Sequence, residues 1–243
     1  MDLQLTGLRA VVTGGSTGIG AAIVGALASE GCDVAFCARD EERISAMLRS
    51  VDSLPGKVQA RALDVNDEDE FAHWLSDLGE LDIFIPNVSA LSGDWGAALR
   101  TDIGATVRTT EAAVPLLMRS SHAAITYIGS KAASLPAPQS AAYGAAKAAM
   151  AHYMKSLSAR LLPTVRVNTV SPGDTLVEGG LWDAIRLRQP DKFQKVLVRN
   201  PMNRLATADE IARVVAFVSS PAASFVAGSN WYVDGGSTAH VQF

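Results

Sequence analysis

Strand-like and helix-like segments alternate along almost the whole of this chain, and no other feature restricts its fold so much. The runs "RAVVTG" (9–14), "DVAFCA" (33–38), "KVQARALDV" (57–65), "LDIFIP" (81–86), "AAITYIG" (123–129), "VRVNTVSP" (165–172) and "NWYVDGG" (230–236) read as strands. Between them, "GAAIVGALASEG" (20–31), "EERISAMLRSV" (41–51) and "DEDEFAHWLSDLG" (67–79) read as helices, as do regions near 97–119, 140–161 and 207–219. Asp40 is placed to cap the second helix, while Gly31 and Gly79 are placed to end the first and third. Strands joined by helix-length crossovers run parallel, with helices on both faces of the sheet. The expected fold class is therefore α/β, a doubly wound, mostly parallel Rossmann-type sheet in three αβα layers. No linker-like stretch or internal repeat interrupts the rhythm, so one domain over residues 1–243 is expected, and an apolar content of 48% can fill its core.

Charge and cysteine usage narrow the function. A net charge of −4 with scattered Lys and Arg leaves no footprint for nucleic acid or for an anionic membrane surface. No apolar run is long enough to span a bilayer, and "MDLQLTGLRAVVTGG" does not resemble a signal peptide. Cys32 and Cys37 fall on one strand-like stretch, roughly 16 Å apart at strand rise, too far to bridge. Free thiols suit a reducing cytoplasm. His73, His122, His152 and His240 are dispersed, and no metal site is expected.

"TGGSTGIG" (13–20) joins the first strand to the first helix. Glycines at this turn let backbone N–H groups approach a phosphate at the positive end of the helix. The spacing is G-x-x-x-G-x-G over Gly14, Gly18 and Gly20, not G-x-G-x-x-G. The same letters contain a rival, because "GGSTG" (14–18) fits the G-x-S-x-G elbow of α/β-hydrolases, with Asp234 and His240 following in order. That fold needs an oxyanion-hole N–H from a loop on an earlier strand, and only about a dozen residues precede this turn. The hydrolase reading fails on position.

"YGAAKAAM" (143–150) lies in an alanine-rich stretch expected to be helical. Tyr143 and Lys147, four positions apart, share one face of such a helix. Alone, the pair reads equally well as a solvated aromatic–cation contact. Tyr127 and Lys131 repeat the spacing in "ITYIGSK", but on a strand running into a loop, where i and i+4 do not converge.

Taken in order, "TGGSTGIG", "LDV" (63–65), "PNVS" (86–89), Ser130 thirteen residues before Tyr143, "YGAAK" (143–147), "SPGDT" (171–175) and "VDGG" (233–236) resemble the short-chain dehydrogenase/reductase family over nearly the whole chain. The resemblance implies an NAD(P)(H)-dependent oxidoreductase exchanging a hydride between the nicotinamide and a small-molecule carbonyl or secondary alcohol. It implies Tyr143 as acid/base, Ser130 as hydrogen-bond partner of the reacting oxygen, and Lys147 as support for the phenolate and the nicotinamide ribose. A free phenol titrates near about 10, so a cation one turn away has a physical purpose. Cofactor contacts are implied for Gly14, Ser16, Thr17, Gly18, Ile19 and Gly20 in the turn. Asp64 and Val65 would lie beside the adenine, Asn87 on the cofactor side of the sheet, and Pro172, Gly173 and Thr175 by the nicotinamide and diphosphate. NAD-using relatives place an acid at the end of the second strand, where this chain has Ala38 and then Arg39. Arg39 favours NADP(H) over NAD(H); the adjacent Asp40, and Thr17 where NADP-preferring relatives often carry a base, weigh the other way.

Several positions depart from the family pattern. Asp102 stands where the family has an asparagine whose main-chain carbonyl binds a water linked to the lysine. Val88-Ser89 replaces Ala-Gly after Asn87, the stretch from Asn87 to Asp102 is short, and Thr175 follows Gly173 closely. Residues 176–200 are expected to form a substrate lid, with Leu181 and Trp182 as apolar contacts and Gly179-Gly180 as a hinge. Relatives imply a homo-oligomer, tetramer or dimer, through the two longest helices and the C-termini. A 3-oxoacyl reductase is a frequent role of such chains, although nothing here marks an acyl-carrier partner. The alternative is a non-catalytic nicotinamide-binding sensor or scaffold of the same fold. Substrate and direction are not written in the sequence.

Overall fold

A computed structural model describes residues 1–241 and bears out the alternation. In chain order the strands are β1 (Arg9–Thr13), β2 (Asp33–Ala38), β3 (Val58–Ala62), β4 (Ile83–Ile85), β5 (Ala124–Ile128), β6 (Arg166–Pro172), the two-residue β7 (Thr175–Leu176) and β8 (Ala206–Thr207), and β9 (Asn230–Val233). Seven of them form one parallel sheet in the order β3-β2-β1-β4-β5-β6-β9, and β7 pairs with β8 alone. The helices are α1 (Gly18–Ser29), α2 (Glu41–Val51), α3 (Glu68–Leu78), the single turn α4 (Trp95–Ala97), α5 (Thr106–Leu117), α6 (Ala141–Leu161), α7 (Leu181–Arg188), α8 (Pro190–Arg199) and α9 (Ala208–Ser219).

The helix starts follow local chemistry. Asp40 accepts from Arg43 N–H, Asp67 from Glu70 N–H, and Thr207 with Glu210 forms a full capping box at α9. Helix α1 differs: Thr17 sits at its N-cap in extended backbone and makes no side-chain cap bond, leaving the first N–H groups to another acceptor.

Side-chain parity along the strands divides the core into two layers. Val12, Phe36 and Ile85 face α1, α2 and α9, while Val11, Phe84 and Tyr127 face α3, α5 and α6. The two cysteines, both free, fall on opposite sides: Cys32 joins the first layer and Cys37 the second. Burial pushes both thiols up to about 12.

Two stretches differ from the sequence expectation. The region read as one helix near 97–119 is broken: Ala98–Ala105 is a π-helical segment between α4 and α5. A bulged turn has the same local residue preferences as an α-helix, so periodicity does not reveal it. The stretch 176–200, expected as a lid with no elements assigned to it, carries α7 and α8, which with Leu205 build a small core around Ile185 and Phe193. Among the described residues, no helix is long and apolar enough to cross a membrane.

Strand order reverses between β1 and β4, so the loops leaving their carboxyl ends diverge and open a crevice there.

Candidate active site

The glycine-rich turn lies at that crevice and is held by the strands beside it. Gly14 and Gly15 N–H groups donate to the Cys37 carbonyl. Thr13 Oγ1 accepts from the N–H groups of Asn87 and Val88 at 2.9 and 3.2 Å, and Asn87 Nδ2 donates to the Thr13 carbonyl at 3.0 Å. Gly14 has φ +71°, a left-handed conformation that a side chain would strain. A Cβ at Gly20 would stand 2.1 Å from the Gly14 carbonyl oxygen. The turn therefore exists only without those side chains, and it exposes Thr17 and half-buried Ser16 beside the uncapped start of α1. Ile19 turns inward to pack on the first layer. An uncapped helix start behind a glycine cradle fits the diphosphate of a dinucleotide.

Around the cradle, Arg39 is exposed and makes no ion pair among the described residues. Asp40 is committed to α2 through Arg43, both by the cap and by an ion pair at 3.4 Å. Asp64 Oδ1 accepts from both donors of Asn66 and Val65 is buried below it. Pro172 is buried, and Gly173 packs so closely that a Cβ there would be 2.6 Å from the Asp234 Cα. Thr175 Oγ1 donates back to the Gly173 carbonyl.

Ser130 follows the carboxyl end of β5; it is 9% exposed, and its Oγ accepts from Ala132 N–H at 3.1 Å. Helix α6 brings half-buried Tyr143 beside it and buries Lys147 to 2% exposure. Lys147 Nζ donates to the Ile128 carbonyl at 2.9 Å and lies 5.7 Å from the Tyr143 ring centre. The three side chains expected to act together do meet. Their titration is less simple than the sequence implied. Burial raises the Tyr143 phenol, the nearby Ser130 hydroxyl opposes this, and the Asp102 charge adds to it. Burial depresses Lys147 to about 8, with the Asp102 charge holding it up. Since this value lies below the ordinary lysine range, the ammonium persists below about 8 and is lost above it. The kcat/KM for the nicotinamide cofactor is expected to fall as pH rises through about 8, a limb that a steady-state pH profile checks.

Three partners escaped the sequence reading. Tyr127, whose spacing to Lys131 is coincidental, lies under Lys147 Nζ at 4.8 Å from its ring centre, with its hydroxyl buried and without a hydrogen-bond partner among the described residues. Strand parity was the available signal, because Tyr127 shares a face with Ile125, toward α6. Lys131 indeed turns away, to pair with Asp174 at 2.5 Å across the mouth of the site. Ser89 donates a short hydrogen bond to Asp102, whose other oxygen accepts from Ala90 N–H at 3.2 Å. Asp102 itself lies in the π-helical segment, 1% exposed.

In the segment above, Gly180 N–H bonds the Val177 carbonyl and Gly179 N–H bonds Asp183, so the expected hinge is tied at both glycines. Trp182 packs into the small core of α7 and α8, whereas Leu181 is exposed. Val177 lies over the glycine-rich turn, 3.5 Å from where a Gly18 Cβ would be. Asp234 accepts from the N–H groups of Gly236 and Thr238, a local turn role that leaves nothing of the hydrolase triad.

Known proteins resemble the chain over nearly its whole length. A protein-family profile described as enoyl-(acyl carrier protein) reductase matches residues 14–238. Isoepoxydon dehydrogenase of Penicillium expansum is 32% identical, with 98% of each chain covered. The solved structure of L-sorbose reductase from Gluconobacter frateurii, complexed with NADPH and L-sorbose, superposes with a TM-score of 0.91 at 27% identity, covering 99% of this chain and 100% of that one. A 7α-hydroxysteroid dehydrogenase complexed with NADH and 7-oxo glycochenodeoxycholic acid gives 0.88 at 25% identity, covering 99% and 98%.

Proposed function

Because the chain belongs to the short-chain dehydrogenase/reductase family, we propose that Tyr143, Ser130 and Lys147 carry its chemistry. Membership makes it an NAD(P)(H)-dependent oxidoreductase working on carbonyl or secondary-alcohol groups. The observation that carries the assignment is the meeting of those three side chains beside the glycine cradle. Bound nicotinamide supplies or accepts the hydride. The chain's own part is to hold the reacting oxygen with Ser130 Oγ and to give it the Tyr143 proton. A phenol raised by burial stays protonated through neutral pH, which suits the reductive direction. Lys147 supplies positive charge behind the phenol while pH stays below about 8. The main-chain carbonyl of Asp102 takes the place of the family asparagine's.

The reading includes a preference for NADP(H). Arg39 is free to meet a 2′-phosphate, and Asp40, the neighbouring acid, is held at the start of α2. Gly14, Ser16, Thr17, Gly18, Ile19 and Gly20 would hold the diphosphate, Asp64, Val65 and Asn87 the adenosine side, and Pro172, Gly173 and Thr175 the nicotinamide side. The chain acts as one catalytic domain, with α7 and α8 as its substrate lid. Exposed Met118, Leu162 and Phe225 offer apolar surface for a homo-oligomer. Two buried free thiols suit the cytoplasm.

The test follows NADPH and NADH oxidation against ketones, keto-sugars, oxo-steroids, 3-oxoacyl thioesters and quinones. Arg39→Ala is expected to raise the KM for NADPH about ten- to a hundredfold, the loss of one charge-assisted contact, and to leave NADH little changed. Equal effects on both cofactors would remove the NADP(H) assignment. Cofactor binding with no oxidation of any kind would favour the sensor.

A further inference from the structure

Two of the departures from the family pattern touch each other. Ser89 replaces a glycine after Asn87, and Asp102 replaces an asparagine thirteen positions later in a different element, yet Ser89 Oγ donates to Asp102 Oδ1. Asp102 Oδ2 accepts from Ala90 N–H at 3.2 Å. Ser89 Oγ in turn accepts from Leu91 N–H at 3.2 Å, so both the proton and a lone pair of the hydroxyl are in use.

We propose that the Asp102 carboxylate is a positioning residue, a two-oxygen clamp that fixes segment 88–91 beside the cofactor crevice. The proposal rests on the site assignment above and adds a side-chain role to it.

Two donors point at Asp102, and a carboxylate has an acceptor oxygen for each. An amide has one. With its oxygen on Ala90 N–H, its NH₂ could only donate to the remaining lone pair of Ser89 Oγ, and the serine proton would lose its acceptor. The exchange of Asn for Asp and of Gly for Ser therefore belongs together. The clamp also accounts for two otherwise unfavourable features. A carboxylate at 1% exposure requires donors, which Ser89 and Ala90 provide. Leu91 holds φ +47°, a left-handed conformation uncommon for a side chain of its size, while 79% exposed. Nothing in its own packing keeps it there, but the bond from its N–H to the clamped Ser89 does. Asp102 lies in the π-helical segment and from there meets the loop after β4. Segment 88–91 follows Asn87, and Thr13 takes the N–H groups of both Asn87 and Val88, so the clamp is joined to the residue that opens the glycine-rich turn.

Hydrogen exchange read by mass spectrometry on a peptide spanning 86–92, together with NADPH affinity by fluorescence titration, tests this. Asp102→Asn and Ser89→Ala are each expected to speed exchange at Ala90 and Leu91 and to weaken NADPH binding about tenfold, the loss of one charge-assisted hydrogen bond. The double variant is expected to be no worse than the weaker-binding single one, and Ser89→Thr, which keeps the hydroxyl, to retain protection. With any ketone that turns over, KM for NADPH should rise more than kcat falls. Additive losses, or singles with wild-type exchange and affinity, would overturn the clamp. Neither result bears on Tyr143, whose removal tests the catalytic assignment separately.

Discussion

Tyr143→Phe is expected to lower turnover by about a hundred- to ten-thousandfold, the range of a lost general acid, while NADPH still binds. The change removes one hydroxyl from a half-buried ring on the long, alanine-rich α6 and leaves Lys147 bonded to the Ile128 carbonyl. Ser130 remains to hold the substrate oxygen, but its hydroxyl already accepts from Ala132 N–H and is the poorer acid. Binding should survive because the cradle at Gly14 and Gly20 and the start of α1 do not involve the phenol. Steady-state rates beside a fluorescence titration of NADPH separate the two effects. Turnover within tenfold of wild type would refute the assignment.

The largest expected loss of stability lies away from the site, at Arg166. This half-buried residue of β6 points its guanidinium at four carbonyls: Val218 at 3.0 Å, Val226 at 3.1 Å, Ser219 at 3.1 Å and Ser220 at 3.0 Å. Three of them belong to the end of α9 and the residue after it, where helix carbonyls lack internal partners and the dipole favours a cation. Arg166→Met keeps the apolar stem and strands those acceptors. A cost of about 3–5 kcal/mol is expected, because several buried carbonyls lose a charged donor at about 1–3 kcal/mol each and some regain water. In a chain of this length that corresponds to roughly 6–20 °C in melting temperature. Arg166→Lys, with one compact charge, should fall between. Thermal or denaturant unfolding decides; a loss under about 1 kcal/mol would mean that water replaces the guanidinium.

What was legible in the sequence was mostly local. The bounds of α2 at 41–51 and its Asp40 cap were readable because periodicity and capping are written within a few residues. Ser130, Tyr143 and Lys147 were readable only through the ordered set of motifs that resembles the family, because the helix-turn spacing of Tyr143 and Lys147 alone fits a solvated pair equally well. Pairings between distant segments were not. Lys131 and Asp174 lie 43 positions apart, and no periodicity joins them. Ser89 and Asp102 each stood out as a departure, but only folding shows that they depart toward one another. Tyr127 and Lys131 do not converge, as their strand-and-loop setting implies, but along-chain spacing gives no hint of the partner Tyr127 does have, Lys147 from the helix laid across it.

The placement of the cysteines has a consequence for following the molecule in solution. Cys32 and Cys37 lie on opposite sides of one sheet, fully buried, with thiols too weakly acidic to react while covered. Each becomes a nucleophile only when its own layer opens. The chain thus carries a native timer for each half of its core, and the difference between the two labelling rates measures whether the layers part together or one before the other.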